Sequence, residues 1–451
     1  MNRNRERIVF IVDGRNRLCG VLTYGDISVL LLKGVELSQK ISGVLKKHYC
    51  FAQPGEDRAE LSARFPPQVL VVPVIDKARQ VVDYMKLDRD TRSRIPISEP
   101  SFRGNEFKYL VNAFLSTWIS STGPYISRFE EEFAKFCECR FGVATSNGTT
   151  ALHLALVALG IGEGDEVIVP DLTFAASINA ILHAGATPVV VDIDREFWTI
   201  LPEQIEKAIT PRTKAVMPVH IYGQPCDMDA IMRIARAHNL KVIEDAAEAH
   251  GARFKGRKIG SFGDVSCFSF YANKVITTGE GGMCLTQSPE LHERMRRLRD
   301  HGMSKERRYW HDEVGYNYRM TNLQAAIGCG QLETIEETLE KRQELEQRYR
   351  RAFRGLRTVE FQKIAKGRDR IVWLLSILVP DGKRDRYLER LAQGGVDARP
   401  FFYSITSMPL YAKYLFSNVN SLAISGRGIS LPTQFNVTDS EIARIRRLFR
   451  D

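Results

Sequence analysis

No apolar run in the chain reaches the roughly 20 residues that a bilayer-spanning helix needs, so a helical membrane span is not expected. The opening stretch, MNRNRERIVFIVDG, has a basic start, but Asp13 cuts its apolar run short, and it does not read as a secretory leader. No CxxC pair is present. The eight cysteines are scattered, and the one close pair, Cys137 and Cys139, has no Cys or His cluster to join. That leaves no metal-ligand pattern, and it suits a reduced, cytoplasmic protein. The chain also lacks a basic stretch interleaved with aromatics. Its net charge is +10, yet the densest basic run, Arg294–Arg308, is interrupted by acids and reads as a helix followed by a loop. Nucleic acid is therefore not expected as a partner, and the charge suits anionic small molecules equally well.

What is present is ordinary globular composition, 44% hydrophobic and 26% charged over 451 residues, enough for two or three domains. Residues 1–93 read as a strand (Val9–Val12), a turn at Asp13-Gly14, a second strand (Leu18–Leu22) and a helix. A strand–turn–strand echo follows at Gln68–Asp88, an internal repeat of about 60 residues that predicts one pseudo-symmetric unit. The charged, Pro-bearing segment Asp88–Pro100 suits a linker. From Val143 onward, strand-like runs (FGVAT, DEVIVP, TPVVVDI, TKAVMPVH, LKVIEDA) alternate with helical segments. Such α/β alternation, with nearly continuous Val/Ile-rich strands, predicts a largely parallel sheet buried on both faces. Leu323–Phe353 reads as one long helix leading into a smaller domain at about 355–451.

In open α/β sheets, ligands sit at the carboxyl ends of the strands, so the segments after each strand are the candidates. After FGVAT comes SNGTTALHLAL. Gly148 lets backbone approach a ligand, and Thr149 and Thr150 open a helix whose N-terminus suits a phosphate. The plainer reading is an ordinary N-cap. After VIVP comes Phe174, either a core aromatic or a platform for a planar ring. After LKVI comes Asp245, either a helix cap or the acid partner of a ring nitrogen. The stretch FSFYANKVITTGEGG then carries Lys274, five residues after the hydroxyl of Ser269. A solvated loop charge is the commoner fate of a lysine. A phosphate cradle, a ring platform, a carboxylate and a lysine are together what pyridoxal 5'-phosphate requires. The aromatics before Lys274 are expected to bury its stem.

From about Ile97 to the C-terminus the chain resembles the DegT/DnrJ/EryC1/StrS family of sugar aminotransferases. The motifs are SNGTTALHLAL, VIVPDLTFAAS, PVHIYGQPCDMDAI, VIEDAAEAHGA, GDVSCFSFYANKVITTGEGG, GYNYRMTNLQAA and ISLPTQFNVTDSEI. The resemblance implies the fold type I α/β architecture of pyridoxal-phosphate enzymes. That is a large, mixed but mainly parallel sheet domain (94–335) and a small α+β C-terminal domain (336–451). It also implies roles. Lys274 forms the Schiff base, Asp245 pairs with the pyridine nitrogen and Phe174 stacks on the ring. Gly148, Thr149 and Ser269 bind the phosphate, Glu248 lies near the cofactor's 3'-oxygen, and Asn317 reaches the phosphate across a homodimer. His220, in PVHIYG, has a structural or a catalytic place beside the cofactor, and His311 has no assigned role. A dehydratase branch of the family has histidine in place of the lysine, so the retained Lys274 favours transamination.

Residues 1–93 resemble a CBS-domain pair, a regulatory α+β module that binds adenine nucleotides. GVLTYGDI fits its G-x-x-T-x-x-D signature, with Thr23 and Asp26 at the ribose-contacting positions, whereas the second copy has VVDYMKLD there. A truncated or degenerate pair is therefore expected. The substrate implied by the family branch is a GDP-linked 4-keto-6-deoxymannose, aminated by L-glutamate with release of 2-oxoglutarate in surface polysaccharide (O-antigen) biosynthesis. The alternatives are a UDP- or dTDP-linked keto sugar or, in another class, a nucleotide-sensing regulatory protein.

Overall fold

The computed structural model describes residues 8–32, 35–36, 39–40, 42, 45, 49–56, 61, 64–66, 69–87 and 95–450. They fall into two compact units, 1–94 and 95–451.

The first unit holds two antiparallel hairpins, β1 (Ile8–Val12) with β2 (Leu18–Thr23), and β3 (Val71–Ile75) with β4 (Val81–Lys86). Helix α1 (Tyr24–Leu32) follows β2. Each turn is tied by an aspartate. Asp13 accepts the Arg15 and Arg17 amides at 2.9 Å, and Asp76 accepts the Gln80 amide at 2.8 Å. Both turns pass through a left-handed residue, Asn16 (φ 60°) and Arg79 (φ 64°). They meet reciprocally: the Leu18 amide donates to the Arg79 carbonyl at 3.0 Å, and the Val81 amide to the Asn16 carbonyl at 3.1 Å. The repeat read from sequence is thus a local two-fold pairing of turns.

In the second unit, seven strands form one sheet. They are β5 (Phe141–Thr145), β6 (Glu166–Pro170), β7 (Thr187–Val191), β8 (Thr213–Val216), β9 (Lys241–Asp245), β10 (Val265–Ser269) and β11 (Gly282–Thr286), in the order β5-β11-β10-β9-β8-β6-β7. Only β11 runs against the rest, antiparallel to both β10 and β5. The strands are buried on both faces because alternate side chains feed two separate cores. Ile168 and Phe268 enter one core; Val167, Val169 and Cys267 enter the other. The helices of this unit are α2 (Glu106–Leu115), α3 (Pro124–Phe136), α4 (Gly148–Ala158), α5 (Ala175–His183), α6 (Pro202–Ala208), α7 (Met228–Ala237), α8 (Pro289–Arg299), α9 (Asn322–Leu332) and α10 (Ile335–Ala352).

The helix expected over Leu323–Phe353 is in fact two helices, α9 and α10. The break falls at Glu333 and Thr334 (φ −114°, ψ 13°) without glycine or proline. Tertiary bonds override propensity there: the Glu333 carboxylate accepts from Asn105 (2.8 Å), the Tyr109 hydroxyl and Arg128 (3.3 Å). Beyond α10, an antiparallel sheet is built from β12 (Glu360–Phe361), β13 (Leu375–Leu378), β14 (Arg399–Pro400) and β15 (Gly428–Leu431), in the order β12-β13-β15-β14. Helices α11 (Arg384–Gln393), α12 (Val419–Ser425) and α13 (Asp439–Leu448) accompany it.

Two carboxylates just past the strand ends tie this C-terminal part to the large sheet. Asp171 is fully buried and accepts from the Thr406 amide (2.8 Å), the Thr406 hydroxyl (2.7 Å), the Ser421 hydroxyl (2.5 Å) and Ser404. Asp192 accepts the amides of Asn420 (2.8 Å) and Ser421 (2.9 Å) at the start of α12. Removing a buried acceptor strands its donors, which costs more than the bonds were worth. Asp171→Ala should lower unfolding stability in urea by about 3 kcal/mol, whereas Asp439→Ala, at an exposed ion pair, should change it by less than about 1 kcal/mol.

Candidate active site

The carboxyl ends of β5, β6, β9 and β10 bring the sequence-predicted residues onto one edge of the sheet. After β5, Asn147 caps α4. Its side chain accepts the Thr150 amide at 2.9 Å, and the Thr150 hydroxyl accepts the Asn147 amide at 3.2 Å. Thr150 is therefore consumed by the cap. Thr149 makes no side-chain hydrogen bond among the described residues, which leaves its hydroxyl available. Gly148 lies against β10: a Cβ there would come within 2.8 Å of the Ser269 Cβ and 3.2 Å of its hydroxyl. The close approach places the Ser269 hydroxyl beside the free amides at the start of α4, an arrangement that can hold a phosphate.

Phe174 is the residue before α5 and is 58% exposed, so it is a free platform and not a core aromatic. One turn on, Ser177 is fully buried, and its hydroxyl donates to Asp245 Oδ2 at 2.7 Å. The Ala247 amide donates to Oδ1 at 3.2 Å. Burial nonetheless pushes the Asp245 carboxyl above its ordinary range. It sits at the strand end with two neutral donors and, of the nearby cations, the more distant Lys274, and a protonated ring nitrogen would supply the missing countercharge.

The Lys274 side chain is only 11% exposed, and its Nζ lies 3.9 Å from Glu248 Oε1. Burial lowers its pKa, while Glu248 and Asp245 pull it back up. Glu248 is pushed up to about 7 by burial, against the opposing pulls of Lys274 and the Tyr222 amide, which donates to it at 2.7 Å. The two groups face each other in a water-poor space that disfavours the charge on each. The expected burial of the lysine stem by the preceding aromatics gives way to a different arrangement. Phe268 and Phe270 pack into the core against Phe133, and the ring found over the amine is Trp373, 3.8 Å away. Ser177, Tyr222 and Trp373 carried no sequence signal. Only Ser177 could have been found, since it lies three residues after Phe174 on the same helical face.

The other predicted residues are not gathered here. Asn317 is exposed, and its Oδ1 accepts from Arg319 at 3.0 Å. His311 is exposed and donates through Nδ1 to the His301 carbonyl at 2.9 Å. His220 is wholly buried. It accepts the Cys226 amide on Nδ1 at 3.1 Å, so Nε2 carries the proton toward Glu244 at 3.2 Å, a structural role. In the first unit, Thr23 and Asp26 cap α1 reciprocally: the Thr23 amide and hydroxyl donate to Asp26 at 2.9 and 2.8 Å, and the Asp26 amide donates to Thr23 at 3.1 Å. No group of three or more metal-ligating side chains occurs among the described residues, and no described helix is long and apolar enough to cross a membrane.

Residues 100–450 match the model of the DegT/DnrJ/EryC1/StrS aminotransferase family. The chain belongs to this family. It is 47% identical over 360 residues to GDP-perosamine synthase of Caulobacter vibrioides, covering 78% of this chain and 96% of the relative. It is 44% identical over 352 residues to GDP-perosamine synthase of Escherichia coli O157:H7, with the same coverages of 78% and 96%. Among solved structures, Streptomyces venezuelae DesV, determined with a ketimine intermediate, superposes with a TM-score of 0.73 at 35% identity, over 78% of this chain and 97% of DesV. Like its family, the enzyme is a pyridoxal-phosphate-dependent aminotransferase. The site fits that cofactor on its own terms: a glycine cradle that a Cβ would fill, an unpaired threonine hydroxyl, an exposed aromatic platform and a buried carboxylate beside a buried amine.

Gly148→Ala, whose Cβ would press on Ser269, should therefore weaken pyridoxal phosphate binding about ten-fold or more, or ≥1.4 kcal/mol, in a fluorescence titration, and should also lower thermal stability because Ser269 on β10 must give way. The elevated carboxyl of Glu248 has a second consequence. Folded protein holds this proton more tightly than unfolded chain, so its contribution to stability is present below pH 4.5 and is lost as pH rises toward about 7. Glu248→Gln should raise the apoprotein's melting temperature more at pH 7 than at pH 5.

Proposed function

We propose that the enzyme transfers the amino group of L-glutamate to the keto carbon of GDP-4-keto-6-deoxymannose, giving GDP-perosamine. The observation that carries the substrate assignment is the 44–47% identity to two GDP-perosamine synthases over 96% of their length. The reaction runs in two halves on one site. Glutamate enters, leaves its amino group and departs as 2-oxoglutarate; the keto sugar then enters and receives the amino group.

In this reading, Lys274 is the residue that would hold the cofactor covalently, and its amine, once free, is the base of the site. Its neutral amine then takes the proton from the donor's α-carbon, and it returns a proton in the second half. Burial favours the neutral amine, and Glu248 beside it steadies the charged form when the proton arrives. Bound pyridoxal phosphate supplies the electron sink for the α-carbanion. Asp245, oriented by Ser177, keeps a proton on the ring nitrogen. Gly148, Thr149 and Ser269 hold the phosphate, Phe174 supports the ring, and Glu248 lies near the 3'-oxygen. Asn317 reaches the phosphate of the partner's site in a homodimer, a role that its exposure permits.

The chain divides functionally into a CBS-pair-like module (1–93), a cofactor domain (94–335) and a small domain (336–451). We infer that the first module takes an adenine nucleotide near Thr23 and Asp26. A cytoplasmic enzyme of surface-polysaccharide synthesis accords with eight free cysteines.

The test is a panel of GDP-, UDP- and dTDP-linked keto sugars with glutamate, read by the mass of the aminated product, with and without AMP or ATP. The GDP-linked 4-keto sugar should be aminated fastest, and a preference for another nucleotide would overturn the assignment. Lys274→Ala should lower turnover at least about a thousand-fold and abolish the visible absorbance of the cofactor–lysine bond. Full cycles in that variant would remove Lys274 from its role.

A further inference from the structure

Trp373 approaches Lys274 from almost a hundred residues away in sequence. It lies just before β13, in the C-terminal part of the chain, and is 3% exposed. Three bonds hold it in place. Its carbonyl accepts from Arg342 on α10 (2.8 Å) and from the Thr433 hydroxyl (3.0 Å), both buried, and its indole N–H donates to the Asn273 carbonyl at 2.8 Å. Asn273 is the residue before Lys274, so the indole grips the lysine's own loop while its face covers the lysine's amine at 3.8 Å. Tyr222 lies nearly parallel to the indole, with centroids 6.2 Å apart and planes 15° from parallel.

We propose that Trp373 is a positioning residue for the catalytic lysine: its face is the resting place of the Lys274 ammonium whenever that amine is not covalently engaged. A cation over an indole face is stabilised by the ring's quadrupole, most strongly where water is scarce. Glu248 and Asp245 face the amine as well, and His250, buried and held neutral with its pKa pushed down to about 3, lies close enough to sense its charge. The two carboxylates offer the amine countercharge only when ionised, and burial resists that ionisation. The indole supplies favourable electrostatics without a titrating proton of its own. The lysine thereby becomes a stronger base at the moment it accepts the α-proton, and it stays aimed at one place between the two halves of the reaction. This consequence rests on the aminotransferase reading, but the contact itself does not.

The experiment uses apoprotein. The pKa of Lys274 is read from the pH dependence of its acylation by acetic anhydride, followed by peptide mass spectrometry. Trp373→Phe and Trp373→Leu both lose the N–H bond to Asn273, and of the two only the phenylalanine keeps a π face. Lys274 should titrate in the order wild type, Phe, Leu, with the Leu variant about one unit below the Phe variant. Equal values for the two variants, or a higher value for Leu, would overturn the proposal. Should the Leu variant not fold, protein grown with mono- and difluorotryptophan decides. Among four tryptophans only Trp373 lies over this lysine, and progressive fluorination should lower its pKa stepwise; no shift on fluorination would be fatal. Failure of the enzyme to aminate any keto sugar would sink the functional reading and leave this titration unaffected.

Discussion

Two carboxylates and one amine share a water-poor space at the ends of β9 and β10. Three ionisable groups that close cannot all keep their ordinary charges. Burial raises Asp245 and Glu248, and it lowers Lys274 against their pull. With all three charged the site is short of one cation, and each nearby feature eases the burial of one of these charges. Ser177 and the Ala247 amide give Asp245 neutral donors, the Tyr222 amide does the same for Glu248, and Trp373 offers the amine a face in place of a solvent shell. A cofactor with a protonated ring nitrogen would supply the cation that Asp245 lacks.

Holding such a cluster requires rigidity on two fronts. The parallel strands supply one: their ends are fixed by cores on both faces, so Asp245 and Ser269 are held on the strand ends themselves and short loops set the positions of Gly148 and Phe174. The C-terminal part supplies the other. It is fastened by Asp171 and Asp192 below and by Arg342 and Thr433 around Trp373. The segment that leads into the small antiparallel sheet thus lies against the candidate site. Tyr222, forced into a left-handed conformation (φ 51°) while fully packed, joins the two parts through its hydroxyl, which accepts the Phe402 amide at 3.1 Å.

Much of this was legible in the sequence because motif residues follow strands at short, constant offsets, and strands buried on both faces announce themselves by continuous Val/Ile runs. The lysine, the acid, the platform and the cradle all lie within such offsets. The two-fold relation of the N-terminal hairpins was visible as a repeat for the same reason, since each turn carries its own aspartate. Where the reading failed, the cause was long-range. The break between α9 and α10 has no local signal, because its determinants, Asn105, Tyr109 and Arg128, lie some 200 residues earlier. Assigning the lysine's cover to Phe268 and Phe270 failed because alternation along β10 sends those rings into the core.

The sequence by itself determined the strand order of the chemistry: which residue types stand at which strand end, and hence the cofactor class. Local spacing suffices for that, since a residue at the end of a buried strand, or within five residues of it, stays at that edge of the sheet. The tertiary structure alone decided how charged those residues are and what touches them. A lysine's protonation depends on the desolvation and field created by groups from four separate segments, the loops after β8, β9 and β10 and the C-terminal stretch before β13. No spacing rule within one segment can sum contributions that meet only when the chain has folded.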